Sequence, residues 1–184
     1  MKPKIVLLGA STGGPSIIKE LLHEVKDLSS IIIINQHMKQ EVLPFFIKDV
    51  QNSYNFRVET TPVTFSLNSP CVIVCSHSSI IQKVGDNFQI RTDTSSQQYT
   101  PDINQFFNSF AEYVDIFDTD VIIMTGIGSD GATGARTLKK YGAKVYAQDE
   151  GSSPVYGMPK SVFELGIVDK VLSLNSLKAY FRNL

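Results

Sequence analysis

The amino-acid sequence predicts a doubly wound α/β fold, with a mostly parallel sheet, helices on both faces and a β-hairpin insertion. The chain has 184 residues, and roughly 100–200 residues form one domain. Several apolar runs are continuous rather than alternating, as in parallel strands that helices cover on both sides. These runs alternate with segments of helical periodicity, so we expect one α/β domain over residues 1–184.

The first part of the chain contains two strand–helix units. Continuous apolar runs predict strands at residues 4–8 and 30–35. Pro15 suits the first turn of a helix after the first strand, and Pro44 fits only near the start of the helix after the second. The expected apolar faces are Ile17, Ile18, Leu21, Leu22 and Val25 in the first helix, and Val42, Leu43, Phe46, Ile47 and Val50 in the second.

The middle of the chain predicts short strands at residues 57–60, 71–75, 80–84 and 88–91. The last two are joined by Gly85-Asp86-Asn87, a sequence typical of hairpin turns. Residues 95–98 predict a loop. A helical stripe follows that we expect to pack in the core, namely Ile103, Phe106, Phe107, Phe110, Ala111 and Val114.

The last third of the chain returns to strand–helix alternation. We expect strands at residues 120–124, 143–147 and 167–172, with helices at residues 132–141 and 158–165. A closing helix contains residues 177–181, and Ser173 or Asn175 caps it. These elements complete the α/β pattern around the hairpin.

Composition and charge exclude several classes of protein. Lys and Arg number 17 against 18 Asp and Glu, and no basic run is present, so nucleic acid is not an expected partner. The apolar runs are far shorter than the ~20 residues that a membrane helix needs. Gly9 interrupts the N-terminal apolar stretch too early for a signal peptide. We expect a cytoplasmic protein without membrane insertion, in which Cys71 and Cys75 are buried free thiols.

Candidate catalytic residues follow three of the predicted strands. In open α/β sheets, sites lie beyond the carboxyl ends of the strands. Ser11 lies in the loop after the first strand, His37 directly after the second, and Asp130 in the glycine-rich loop at residues 125–134. We therefore expect a serine, a histidine and an aspartate at one edge of the sheet.

Ser11 lies in a G-x-S-x-G sequence between a strand and a helix, the context of a nucleophile elbow. Two other interpretations stay open on the pattern alone. A phosphate-binding glycine turn would need an acidic residue at the end of the second strand, where Asn35-Gln36-His37 supplies none. Alternatively, Ser11 could serve only as a helix cap.

The histidine and the aspartate also have alternatives. His37 could be a packing residue at a strand end, and His77, which also follows an apolar strand, competes with it as the base. Asp130 could simply cap the next helix. Asp115, Asp118 and Asp120 are close in sequence, but no histidine or cysteine accompanies them, so we expect no metal site.

Five short segments together resemble the catalytic domain of the bacterial chemotaxis receptor methylesterase family, CheB. They are GASTGG (9–14), NQHM (35–38), TGIGSDGATG (125–134), AQDE (147–150) and YGMPKSV (156–162). The resemblance implies that Ser11 is the nucleophile, His37 the general base and Asp130 the residue that orients it. It also favours His37 over His77.

The resemblance also implies the activity. Family members hydrolyse γ-glutamyl methyl esters on chemoreceptors, and some deamidate receptor glutamines. Such a reaction requires no cofactor. We expect the backbone amides of Thr12 and Ile127 to stabilise the oxyanion. The alternative is a catalytically silent module that binds receptors or an anion.

The sequence departs from the family pattern in two places. Only three residues precede the first predicted strand, so we expect a catalytic domain without a receiver domain and without stimulation by phosphodonors. Where the family often has a basic segment, residues 95–101 have none, since Gln98, Tyr99 and Thr100 carry no positive charge. Residues 75–77 replace a P-G-D-like turn, so we expect substrate contacts on that side to differ.

Overall fold

A computed structural model describes residues 2–93, 95 and 99–184. Within these residues, the strands are β1 (Lys4–Ala10), β2 (Ile31–Gln36), β3 (Val58–Thr60), β4 (Val63–Ser66), β5 (Cys71–Val74), β6 (Ser79–Val84), β7 (Asn87–Thr92), β8 (Asp118–Ile123), β9 (Lys144–Gln148) and β10 (Lys170–Leu172). The helices are α1 (Gly14–Glu24), α2 (Leu43–Ser53), α3 (Ile103–Phe110), α4 (Ala132–Lys140), α5 (Met158–Glu164) and α6 (Leu174–Phe181).

The central sheet is doubly wound, as predicted. Its seven strands lie in the order β10-β9-β8-β1-β2-β5-β3, and every neighbouring pair is parallel. The chain starts at β1 in the middle, builds one side of the sheet through β2, and later returns to build the other side through β8. The strand order therefore reverses beside β1, the place where open α/β sheets form their ligand crevice.

Helices cover both faces of this sheet because the side chains of each strand alternate between the two sides. On β1, Ile5 and Leu7 join the core under α3, α4 and α5. Val6 and Leu8 join the core under α1, α2 and α6. All four side chains are fully buried, which explains why the strand has a continuous rather than an alternating apolar sequence.

The predicted hairpin is confirmed, but it belongs to a second sheet. β6 and β7 pair antiparallel around Gly85 and Asp86, and β4 pairs with β7 to give the order β4-β7-β6. β4 was not predicted, although Val63-Thr64-Phe65-Ser66 alternates apolar and polar residues, because the strand has only 4 residues and only Phe65 among them is buried. Phe65 and Phe88 of this small sheet pack into the core that α3 covers.

Several predicted boundaries need correction. The predicted stripe at residues 103–114 is divided between α3 and a 3-10 turn at Ala111–Tyr113. β10 is shorter than predicted, because Ile167 and Val168 pack against the core from a loop. Ser173, not Asn175, caps α6, since its side chain accepts a hydrogen bond from the Ser176 amide.

Other predictions differ at single positions. Val42 precedes α2 and is 49% exposed, so it is not part of the buried face. The predicted loop at residues 95–98 lies mostly outside the described residues. Cys71 and Cys75 are free and buried, as expected. No helix in the described part of the chain is long and apolar enough to cross a membrane.

Candidate active site

The Ser11 loop begins where β1 ends and turns toward β8. The Ser11 amide donates to the Thr125 carbonyl at 2.9 Å, and the Ser11 carbonyl accepts from the Gly14 amide at 2.9 Å. α1 begins at Gly14 with Gly13 as its N-cap, in the left-handed region at φ 83°, and no side chain caps the helix. The interpretation of Ser11 as a helix cap is therefore wrong.

The glycine after Thr125 allows the β8 loop to approach Ser11 closely. A Cβ atom at Gly126 would lie 2.6 Å from the Ser11 Cβ and 2.3 Å from the Met158 sulfur. Both distances are too short for any side chain larger than hydrogen. Gly126 therefore allows the serine side chain to pack directly against the loop that carries Asp130.

His37 and Asp130 come together although 93 residues separate them in the chain. The His37 amide donates to the Ala10 carbonyl at 2.9 Å, which holds His37 beside the end of β1. The imidazole Nε2 lies 2.7 Å from Asp130 Oδ2. The His37 side chain is 13% exposed and the Asp130 side chain 1%, so this hydrogen bond is largely shielded from water.

The Asp130 carboxylate also caps a helix, but not the one predicted. Its Oδ2 accepts from the Ile103 amide at 2.9 Å, and its Oδ1 accepts from the Asn104 amide at 3.0 Å. These amides open α3, whereas the next helix, α4, has Gly131 as its N-cap. Oδ1 also accepts from the Gly131 amide at 2.8 Å. The prediction that Asp130 could simply cap α4 is wrong.

The hydrogen bonds of Asp130 determine which imidazole nitrogen is free. Three backbone N–H groups donate to the carboxylate, so its oxygens act as acceptors toward all of these neighbours. Nε2 of His37 is then the donor of the fourth hydrogen bond, and in a neutral imidazole Nδ1 is left as the basic nitrogen. The positive end of the α3 dipole adds to the stabilisation of the carboxylate.

Two further residues of the site were not identified from the sequence. The side-chain amide of Gln36 donates to the carbonyls of Ser11 and His37. The Tyr99 ring stacks on the His37 imidazole, with centroids 5.1 Å apart and planes inclined by 7°. Gln36 is a polar residue at the end of an apolar strand, which was a usable signal. Tyr99 lies between β7 and α3, and nothing in the sequence around it indicates a contact with His37.

The other candidate site residues, Thr12, Ile127 and His77, lie at the surface. Thr12 is exposed, and Ile127 is 66% exposed. Within the described part of the chain, the amides of Thr12 and Ile127 donate no hydrogen bond. His77 is exposed, and its Nδ1 lies 3.1 Å from the Ser76 hydroxyl. Asp118 and Asp120 bind Lys4 at distances of 3.1 and 2.7 Å.

A cleft of about 620 Å³ lies elsewhere in the molecule. Its lining includes His23 in the last turn of α1, Leu28 between α1 and β2, and Tyr54 and Arg57 between α2 and β3. It therefore opens at the amino ends of the strands, whereas Ser11, His37 and Asp130 lie beyond the carboxyl ends.

A family model described as CheB methylesterase matches residues 6–181. The protein-glutamate methylesterase/protein-glutamine glutaminase 1 of Caulobacter vibrioides is 33% identical over 178 residues, which cover 94% of this chain and 51% of the relative. The corresponding Borreliella burgdorferi protein is 32% identical over 178 residues, covering 95% of this chain and 46% of the relative. The chain thus spans about half the length of the curated relatives it matches.

The fold comparison agrees with the sequence comparison. The crystal structure of the Thermotoga maritima CheB methylesterase catalytic domain superimposes with a TM-score of 0.85 at 24% sequence identity. The match covers 100% of this chain and 99% of that chain. Because a family model covers nearly all of the sequence and the fold agrees over its whole length, this chain belongs to the CheB methylesterase family.

Proposed function

We propose that this domain hydrolyses γ-glutamyl methyl esters on the cytoplasmic domains of methylated chemoreceptors. Ser11 is the nucleophile, His37 the general base and Asp130 the residue that orients the base. The observation that carries the proposal is the 2.7 Å hydrogen bond between His37 and Asp130, beside the serine loop at the topological switch point of the sheet. The printed names of the curated relatives support the reaction class.

In the first half-reaction, Nδ1 of His37 takes the proton of the Ser11 hydroxyl as its oxygen attacks the ester carbonyl. The imidazolium that forms is stabilised by Asp130, whose carboxylate stays bound to the amides of α3. His37 then returns the proton to the leaving methoxide. Methanol departs, and Ser11 carries the glutamyl group as an ester.

In the second half-reaction, water replaces the serine. His37 takes a proton from the water as it attacks the acyl-enzyme, and then returns that proton to the Ser11 oxygen. The products are the glutamate side chain and the free enzyme. The amides of Thr12 and Ile127 donate to the oxyanion of both tetrahedral intermediates, a role supported by their lack of an acceptor within the described residues.

The same residues suit deamidation of receptor glutamines. Ser11 attacks the amide carbonyl in the same way, and His37 protonates the leaving amide nitrogen, which departs as ammonia in place of methanol. The curated relatives carry both activities in their names. The proposed chemistry uses side chains, backbone amides and water, and its proposed substrates are cytoplasmic, so we propose the same location for this protein.

Methanol release from membranes that contain methylated receptors tests the proposal. We expect Ser11→Ala and His37→Ala each to lower turnover by about 10⁴–10⁶-fold while the domain stays folded, because members of a triad act as a unit. Near-normal turnover by folded Ser11→Ala would contradict the mechanism. Labelling of wild type by a fluorophosphonate, absent in Ser11→Ala, separates an enzyme from a silent receptor- or anion-binding module.

A further inference from the structure

The main-chain pairing between β1 and β2 ends just before the two proposed reacting residues. Its last hydrogen bond runs from the His37 amide to the Ala10 carbonyl. One residue later, the Ser11 amide turns away and donates to Thr125, next to β8. Beyond this point, no main-chain hydrogen bond in the described part of the chain joins residues 11–13, which follow β1, to residues 38–42, which follow His37.

The side chain of Gln36 supplies the hydrogen bonds that connect Ser11 to His37 where the main-chain pairing has ended. Its Nε2 donates to the Ser11 carbonyl at 2.9 Å and to the His37 carbonyl at 2.7 Å. Because both groups facing this nitrogen are carbonyl oxygens, the orientation of the amide is fixed by the hydrogen bonds. A primary amide has two N–H donors, and Gln36 uses one on each of the two residues.

Gly14 leaves the space that the opposite end of the amide, Oε1, occupies. A Cβ atom at Gly14 would lie 2.1 Å from Gln36 Oε1, so any other residue there would displace the side chain. Gly14 lies in α1 and is not among the glycines with positive φ. Its lack of a side chain is therefore needed for the space that Gln36 occupies rather than for the backbone conformation.

The two ends of the Gln36 amide have different surroundings. Gln36 is 1% exposed, and its Oε1 accepts no hydrogen bond within the described part of the chain. An apolar side chain of the same length would avoid burying this oxygen but would remove the Nε2 donor from the Ser11 and His37 carbonyls. The polar contacts described for the side chain are both with the backbones of the proposed nucleophile and base.

We propose that Gln36 is a positioning residue for the hydrolysis, whose side-chain amide sets the separation between Ser11 and His37. This inference rests on the proposed roles of those two residues. Errors of about 1 Å in the placement of reacting groups cost about 100-fold in rate. Loss of the amide is therefore expected to act on the chemical step and not on substrate affinity.

The test compares Gln36→Met with wild type and with Gln82→Met. Methionine keeps the length of glutamine and removes both donors. Gln82 is a matched control, because it is a partly buried strand glutamine whose Nε2 donates to Gln89 at 2.8 Å in the small sheet. Measured quantities are kcat and KM for methanol release, the rate of Ser11 labelling by a fluorophosphonate, and the thermal unfolding midpoint.

We expect Gln36→Met to lower kcat and the labelling rate together by about 10–100-fold, with KM within twofold of wild type. Gln82→Met keeps wild-type rates. A folded Gln36→Met protein with wild-type kcat and labelling would overturn the proposal, even if its midpoint were lower. If Gln36→Met does not fold, Gly14→Ala is used instead. Its methyl group displaces the Gln36 side chain, which still carries its amide. Wild-type labelling by folded Gly14→Ala would equally overturn the proposal.

The labelling assay separates this inference from the proposed function. If wild type is labelled at Ser11 but releases no methanol from receptors, the receptor substrate is wrong and the comparison of labelling rates still tests Gln36. If wild type is not labelled, the nucleophile is wrong, and the positioning role of Gln36 is overturned with it.

Discussion

Two aspartates near opposite ends of β8 are almost equally buried but have different surroundings. Asp130, beyond the carboxyl end, is 2% exposed, and Asp120, near the amino end, is 1% exposed. Asp130 accepts hydrogen bonds from three backbone amides and one imidazole. Asp120 accepts from the Tyr180 hydroxyl at 2.5 Å and binds the Lys4 ammonium at 2.7 Å.

The difference sets the carboxylate proposed to act in catalysis apart from one that binds a permanent cation. Fixed backbone dipoles stabilise the charge of Asp130, and in the proposed mechanism this carboxylate stabilises the positive charge that forms on His37. Asp120 instead pairs with the Lys4 ammonium, which also binds Asp118. The two residues are almost equally buried, so the kind of partner is what differs between them.

Among the substitutions that test this comparison of the two aspartates, Asp130→Asn should have the largest effect, a loss of turnover. In Asp130→Asn, an amide N–H₂ takes the place of one carboxylate oxygen, so His37 loses its charged partner and its defined tautomer. We expect kcat to fall by about 10³–10⁴-fold. Methanol release measures the loss, and circular dichroism checks the fold. A folded variant with kcat within tenfold of wild type would show that Asp130 does not orient the base.

Replacing Asp120 should lower stability instead of activity. Asp120→Ala leaves the Tyr180 hydroxyl without its acceptor and the Lys4 ammonium with the exposed Asp118 alone, and we expect the free energy of unfolding to fall by about 3 kcal/mol. Urea unfolding measures this change. Per folded molecule, kcat should stay at the wild-type value. A loss of kcat without a loss of stability would remove the distinction between the two aspartates.

A smaller effect is expected at high pH from Tyr180. Burial and the neighbouring Asp120 charge raise the pKa of Tyr180, and burial raises the pKa of Tyr146 to about 12. Unfolding then releases protons above about pH 10, the pKa of a free tyrosine. The stabilising contribution is complete below about pH 10 and is lost as the pH rises above it.

Tyr180→Phe isolates this contribution. We expect the variant to be less stable at neutral pH by about 1.5–3 kcal/mol, because it loses a hydrogen bond to a charged group. Its stability should decline less steeply than that of wild type above pH 10. Urea midpoints at several pH values give both quantities. Lys4, Asp118 and Tyr146 are present in both proteins, so a difference between their two slopes of stability against pH comes from Tyr180. Equal slopes would mean that the pKa of Tyr180 is the same in the folded and unfolded states.

The smallest effect is expected at His77. It is exposed and contacts Ser76, whereas Asp130 hydrogen-bonds His37. We expect His77→Ala to change kcat by less than about twofold and to leave the unfolding midpoint within the range of ordinary surface substitutions. Abolished turnover in His77→Ala, with activity retained in His37→Ala, would reverse the assignment of the base.

The strands, and the grouping of Ser11, His37 and Asp130 at one edge of the sheet, could be predicted because their signals are local. Each of these residues follows a continuous apolar run, and parallel strands bring such loops to one edge. Their proposed roles, and the preference for His37 over His77, came from the resemblance to the CheB family. The partners of these residues could not be predicted in the same way. Asp130 binds amides 26 and 27 residues away, and Tyr99 stacks on a histidine from a different part of the chain.

The second sheet illustrates the same limit. β4 has only 4 residues, whose alternation of apolar and polar side chains is a short strand signal. Its partner β7 lies much later in the chain, and nothing in the β4 segment itself specifies that pairing. Gln36 could have been singled out as a polar residue in an apolar strand. Its two acceptors, the Ser11 and His37 carbonyls, could not, because their positions depend on how the chain turns after β1 and β2.

In the proposed mechanism, the contact between Asp130 and α3 also makes activity a measure of tertiary packing. The buried face of α3 carries Phe106, Phe107 and Phe110, which pack in one of the two cores, and its first amides hold the carboxylate that is proposed to orient His37. A compact state that keeps its helices and strands but lets α3 loosen would misplace Asp130. Such a state would retain its far-ultraviolet circular dichroism and lose its hydrolysis, so turnover would decline before secondary structure during gentle denaturation.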